Sequence, residues 1–339
     1  MDDLDLMLVN ALQINPRISW ADLSGALHVD ATTLSRRWDR LIQGRLAWTR
    51  WVYTPHFARD EQPHVDAIAE VRCEPGTREE VIRALVANPL VSGVHCTSGD
   101  RDLFATVHSD SIGDLDAAIQ QVIASARGVT AITTTYIRTL FQEGSSWRLP
   151  ALGPGQLSAV DSTLPRLLAP SAPTQLHLAL IDSLAWDVRR PVADVAREVG
   201  ASRSRVARAL QELLVADWAR ARVDIAFRAA GWKASALMWM RVPPGQLQRV
   251  AAAIRTLPYV RMCASVSGRS NLVVTLLLHE VRGLDDLEPR IVNTFPGVTI
   301  EDTWVVPRVA KLFGVAVDPD GRVSPDDAHV FLKFARSTI

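Results

Sequence analysis

LDLMLVNALQINPRISWADLSGAL, residues 4–27, decides the fold, because the chain carries this stretch twice. At a constant offset of 172, Leu4-Asp5-Leu6-Met7-Leu8 pairs with Leu176-His177-Leu178-Ala179-Leu180. The same offset pairs Leu12 with Leu184, Arg17 with Arg189, Ala21-Asp22-Leu23 with Ala193-Asp194-Val195, and Leu41 with Leu213. An ungapped match over so long a stretch predicts a duplicated structural unit. A second offset of 169 relates Pro75-Gly76 to Pro244-Gly245, Ser98-Gly99 to Ser267-Gly268, and Gly128-Val129-Thr130 to Gly297-Val298-Thr299. The order is therefore A–B–A′–B′.

Apolar spacing reads unit A as three helices. Leu4, Leu8, Ala11 and Leu12 fall on one helical face, and Asn15-Pro16 closes that helix. Ser19 and Asp22 are placed to start a second helix, with Leu23, Ala26 and Leu27 inward. A third helix from about Thr32 to Gln43 turns Leu34, Trp38, Leu41 and Ile42 to the core. Thr32, Thr33, Ser35, Arg36, Arg37 and Arg40 are left to solvent. In A′ the third helix follows Gly200-Ala201 and exposes Ser202, Arg203, Ser204, Arg205 and Arg208. Short polar residues ahead of an arginine face suit the major groove of double-stranded DNA, where Arg can take guanine edges or phosphates. A three-helix packing unit with solvated arginines is the plainer account, and the presence of two such copies favours DNA. The A′ helix reads as the more basic. Arg45–Tyr53 and Trp218–Phe227 read as strands leading out of each unit.

Unit B reads as a βαββαβ sandwich: strand 67–72, helix 77–87, a strand pair at 91–97 and 102–107 around Ser98-Gly99-Asp100-Arg101, helix 112–124 and strand 129–140. B′ repeats the order. One face of such a sheet is left open, and a second copy can cover it. The expected class is α+β, two copies of a winged helix-turn-helix plus a ferredoxin-like domain. The expected boundaries are 1–55 and 63–140 for the first copy, a linker at 141–173, 174–228 and 233–313 for the second, and a tail at 314–339. Ser324 is expected to cap an amphipathic stretch reaching Ala335.

The helix-turn-helix stretch at 4–27 and the turn SGDRDLF, residues 98–104, together resemble the Lrp/AsnC family of leucine-responsive, or feast/famine, regulators. The resemblance covers nearly everything except linker and tail. It implies a DNA-binding regulator that self-associates to a homodimer or higher and senses a small effector, plausibly an amino acid. The family's effector site lies near the Gly-x-x-Asp hairpin. That implies Ser98, Gly99, Asp100 and Asp102 for one site and Ser267, Gly268 and Asn271 for the other. A carboxylate at 102 could hold an ammonium group by charge, whereas Asn271 could not.

The bulk numbers agree with such a protein. Thirty-seven basic and 37 acidic residues give no net charge, so DNA affinity must come from local patches. The three cysteines, Cys73, Cys96 and Cys263, lack metal-ligand spacing and read as reduced core residues. An acidic N-terminus without a basic region and apolar runs too short for a bilayer predict a cytoplasmic protein that does not enter membranes. Neither a cofactor nor a catalytic motif is expected. The alternative is an enzyme resembling the sirohaem decarboxylases, which share the family's fold, or an assembly protein whose DNA-reading units have decayed. The eight histidines are scattered rather than set at ligand spacing.

Overall fold

The computed structural model describes residues 1–53, 65–144 and 146–324. Among the described residues two compact units emerge, one from 1–53 with 148–226 and one from 65–144 and 146–147 with 227–324. Like copies associate: both helix-turn-helix units lie in the first, both βαββαβ domains in the second. Among the described residues no helix is long and apolar enough to cross a membrane. The amphipathic stretch read after Ser324 lies outside the described residues.

In the first unit, α1 (Asp3–Ile14), α2 (Trp20–Leu27) and α3 (Ala31–Gln43) form one head, closed over Leu8, Leu12, Leu23, Leu34, Trp38 and Leu41. Helices α7 (Gln175–Ser183), α8 (Val192–Glu198) and α9 (Arg203–Val215) form the other, over Leu180, Leu184, Val195, Val206, Leu210 and Leu213. Ser19 caps α2 as the sequence suggests, and Ser202 caps α9. Ile42 is a correction: it is 39% exposed and not part of the core.

The strands that follow, β1 (Ala47–Tyr53) and β6 (Ala219–Ile225), pair antiparallel with each other. Their register is centred on Arg50 facing Arg222, which are one another's repeat equivalents, so the two heads are related by a local twofold. A reciprocal clasp obeys the same symmetry. Arg17 donates to the carbonyls of Val188 and Arg190, and Arg189 donates to those of Pro16 and Ile18. Contacts of i with j and j with i are what an isologous dimer makes between subunits. Here one chain makes them with itself. Burial lowers both guanidinium pKa values, that of Arg189 to about 10. Arg189 also lies 4.1 Å over the Trp20 ring.

Between the heads' sequences, the Pro- and Gly-rich stretch contains α6 (Pro154–Asp161) and is tied down by buried polar groups. Asn10 Oδ1 accepts from the amides of Ala151 and Leu152, and Gln13 Oε1 accepts from that of Leu149.

In the second unit, β2 (Val65–Cys73), α4 (Arg78–Ala87), β3 (Val91–Cys96), β4 (Leu103–Ser109), α5 (Ile112–Ala118, continued as a π-turn over Ile119–Ala124) and β5 (Val129–Gln142) make one domain. Its counterpart is β7 (Ala234–Arg241), α10 (Leu247–Ile254), β8 (Val260–Val266), β9 (Leu272–Leu278), α11 (Gly283–Thr294) and β10 (Thr299–Val306). The strand orders β5-β2-β4-β3 and β10-β7-β9-β8 are the ferredoxin-like pattern. The sheets are also laced together. The long β5 runs on to pair with β8, and the chain after β10 continues as β11 (Arg308–Leu312) to pair with β3. A short β12 (Val315–Ala316) adds to β11 at the start of the segment read as a tail. Helices cover the outer faces over two separate cores. The inner faces bury Ile68, Phe104, Leu237, Trp239, Val266 and Trp304 against each other. The open face expected of each sheet is thus covered by the other copy.

Candidate nucleic-acid interface

Local chemistry makes the two heads differ where they would meet DNA. Helix α3 begins at Asp30, whose carboxylate accepts from the amides of Thr32 and Thr33. Amides at a helix start can otherwise hold a phosphate. Thr32, Thr33 and Arg36 are exposed. Arg37 and Arg40, expected to face solvent freely, are engaged by α1. Arg37 Nη1 lies 2.7 Å from Asp2 and 2.9 Å from Asp5, and Arg40 Nη2 lies 2.7 Å from Asp5. Asp5 is 3% exposed and Arg37 25%. The hydrogen bond from Arg37 holds the Asp2 carboxyl below its ordinary value, and the Asp2 and Asp5 bonds raise the Arg37 pKa in turn. This is a correction to the sequence reading: two of three arginines on that face serve helix packing.

The second head has the same framework with other residues. Ser202 stands where Asp30 stands, and its neutral hydroxyl accepts from the Arg205 amide. Ser202, Arg203, Ser204, Arg205 and Arg208 are all exposed. Arg203 and Arg205 make no ion pair among the described residues. Arg208 pairs with Glu212 at 3.0 Å. Glu212 in turn takes His177 Nε2 at 3.0 Å, while His177 Nδ1 accepts from the Thr174 amide. His177 and Glu212 are the repeat equivalents of Asp5 and Arg40. The polarity of the α1–α3 contact is therefore reversed in α7–α9 with the contact kept. The two third helices carry the same formal charge, three Arg and one acid each. The expectation that α9 is intrinsically more basic gives way to a difference in what packs beside each helix.

The two hairpins of the second unit also obey the repeat. The Ser98 amide donates to the Val305 carbonyl, and the Ser98 hydroxyl accepts from the Val305 amide at 3.0 Å. Ser267 does the same to Tyr136, at 2.9 Å. Asp102 Oδ2 accepts from the Cys73 amide, and Asn271 brackets Val242 with bonds to both its amide and its carbonyl. Gly99 and Gly268 have φ of 94° and 105°, which the turn requires and a Cβ would strain. So Ser98, Ser267, Asp102, Asn271 and both glycines have structural work. Asp100, with a side chain 66% exposed, is paired to Arg72 and Arg101. Arg101 also reaches Glu70 and Asp302 and lies 4.0 Å over Trp304. Sequence reasoning missed this Glu70–Arg101–Asp302 group, because its members come from three distant strands and turns.

Comparisons with known proteins agree with this geometry. The AsnC-type helix-turn-helix domain matches residues 1–42. The Lrp/AsnC ligand binding domain matches twice, at 66–144 and 235–313. The chain belongs to the Lrp/AsnC family. Its relatives include HTH-type transcriptional regulators of Pyrococcus horikoshii and Pyrococcus abyssi. Each is 23% identical over 145 residues, covering 42% of this chain and 90% of the relative. One chain of the archaeal size thus corresponds to one half of this Lrp/AsnC protein. Over its whole length the fold is similar to the siroheme decarboxylase NirDL solved with an iron-uroporphyrin III analogue. The TM-score is 0.60, identity 14%, and coverage 99% of this chain and 98% of that one. At that identity the likeness concerns the fold.

Three of the described histidines are engaged by neighbouring side chains. His95 stacks flat on Phe104 at 4.3 Å, with burial and the nearby Arg261 charge lowering its pKa to about 3. His279 stacks on Trp232, and His177 is tied to Glu212. Arg261 is buried against Phe227, Trp147 and Phe313. Among the described residues no group of three His, Cys, Asp or Glu is placed to hold a metal ion.

Proposed function

We propose that this Lrp/AsnC protein is a sequence-specific DNA-binding transcriptional regulator whose affinity or assembly is modulated by a small effector, an amino acid or a related metabolite. The observation that carries the reading is the pair of helix-turn-helix heads locked about a local twofold, each with its third helix exposing polar and arginine side chains. Phosphate contacts by those arginines would dominate affinity and make it salt-dependent. The family's small effector would bind at the hairpins of the second unit. Asp100, Arg101 and Asp302 form a mixed-charge group there, which can exchange its internal ion pairs for the ammonium and carboxylate of an amino acid. At the second hairpin Arg269 pairs with Glu301 instead, so the two sites would differ in strength. Asp102 and Asn271 act in this reading by fixing the turn.

The experiment is enrichment of fragmented genomic DNA on the purified protein, with and without a panel of amino acids. Discrete enriched segments whose occupancy shifts with one amino acid support the reading. Absence of enrichment overturns it. The enzyme alternative, resting on the NirDL-like fold, is checked on the same preparation. A Soret band, or tight porphyrin binding, would revive it.

A further inference from the structure

The two heads are unequal by construction, and the inequality lies in residues that the repeat places one for one. In the first head, Asp2, Asp5 and Asp30 lie against α3. Their equivalents in the second head are Thr174, His177 and Ser202. These three acids are replaced by residues with no fixed negative charge. The equivalent of Arg37 is Ala209. In the first head the Arg37 side chain occupies the space between α1 and α3 and bonds both Asp2 and Asp5. In the second head the small Ala209 leaves a cleft of about 560 Å³ there, bordered by Thr174, Gln175, His177, Arg205, Arg208 and Glu212. The first head therefore pairs two of its three α3 arginines with its own acids. The second has an open cleft beside its third helix, and among the described residues Arg203 and Arg205 make no ion pair.

We infer that the chain reads duplex DNA asymmetrically: α9 and its cleft supply most of the backbone and base contacts, α3 supplies few, and the recognised site is two unlike half-sites rather than a palindrome. This rests on the DNA-binding reading above. Coulomb attraction to phosphate is a sum over every charge within about a Debye length, roughly 8–10 Å at ordinary salt. A carboxylate at the N-cap of α3 and two more beside its arginines cancel locally what the formal charge of the helix promises. Asp30 also takes the amide N–H groups that would otherwise be free for a phosphate at that helix start. Ser202 at α9 leaves the helix start uncharged.

The test uses the full-length protein and one enriched genomic fragment, with binding followed by fluorescence anisotropy across a salt series. Arg203→Ala/Arg205→Ala should lower affinity at least tenfold and flatten the salt slope by about two units. Thr33→Ala/Arg36→Ala, in the first head, should lower it less than threefold. The decisive variant adds function rather than removing it. Asp2→Thr/Asp30→Ser gives the first head the caps of the second, both good N-cap residues, and removes two negative charges. It should bind the fragment three- to tenfold more tightly with a steeper salt slope, a gain that misfolding cannot imitate. Equal losses from the two arginine-bearing double variants, or unchanged affinity in Asp2→Thr/Asp30→Ser, overturn the asymmetry and leave DNA binding standing. Failure of the unaltered protein to bind the fragment overturns the regulator reading itself.

Discussion

Asp102 and Asn271 show how far a single residue can be read. From the sequence the difference suggested one charged and one uncharged effector site. In the structure both side chains accept a hydrogen bond from an equivalent backbone amide, that of Cys73 or Val242. Such a bond spans two strands, and nothing in local spacing announces it. Asp102→Asn should therefore keep stability within about 1 kcal/mol, as Asn271 does the same work. Asp102→Ala should cost about 1–3 kcal/mol by leaving a partly buried amide unpaired. Urea denaturation of both variants checks this, and equal losses would contradict the turn-fixing role. Asp66 offers a pH test. Burial raises its carboxyl to about 6, from an ordinary 3.8. A raised carboxyl pKa favours the fold when neutral, so this contribution is complete below the ordinary value and is lost as pH rises through about 6. Asp66→Asn cannot ionise. It should lose less stability than the unaltered protein between about pH 4 and pH 7, by on the order of 2 kcal/mol. Equal pH dependence of the two proteins would refute that.

At the scale of elements, the helices of both heads and the βαββαβ order were legible because apolar period and turn residues are local signals. The ion pairs of Arg37 and Arg40 were not, since their partners lie over thirty residues away on α1. Nor was the path of β11 onto β3, which follows from the duplication's geometry and not from its sequence. The buried Lys311, which donates to the carbonyls of Val86 and Asn88, belongs to that same crossing. Between the heads, β1–β6 pairing and the Arg17–Arg189 clasp act on the same joint. Each arginine donates two hydrogen bonds to carbonyls of the opposite head. Arg17→Ala/Arg189→Ala should lower stability by about 2–5 kcal/mol and raise amide exchange in β1 and β6. It should leave exchange in β7 and β9, deep in the other unit, unchanged. Hydrogen exchange that rises equally in both units would argue against a local joint.

The whole molecule is a dimer fold made of one chain. Like copies pair in each compact unit, and neither half of the sequence contains a complete core between sheets. Residues 1–145 expressed alone would expose Ile68, Phe104 and Ile137, which the second copy covers in the intact chain. Apolar surface of that kind drives association, so this half should elute as a self-associated species in size-exclusion chromatography. A stable monomeric half would contradict the fused-dimer account. The repeat offsets show the duplication, whereas the twofold relating the copies follows from the β1–β6 register. What the offsets alone do not show is how differently the charges around α3 and α9 are paired. The most direct measurement is selection of bound sequences from a random duplex DNA pool by the intact protein. A single enriched motif with two dissimilar halves is the predicted result; a pool left no different from its input would contradict the account at its centre.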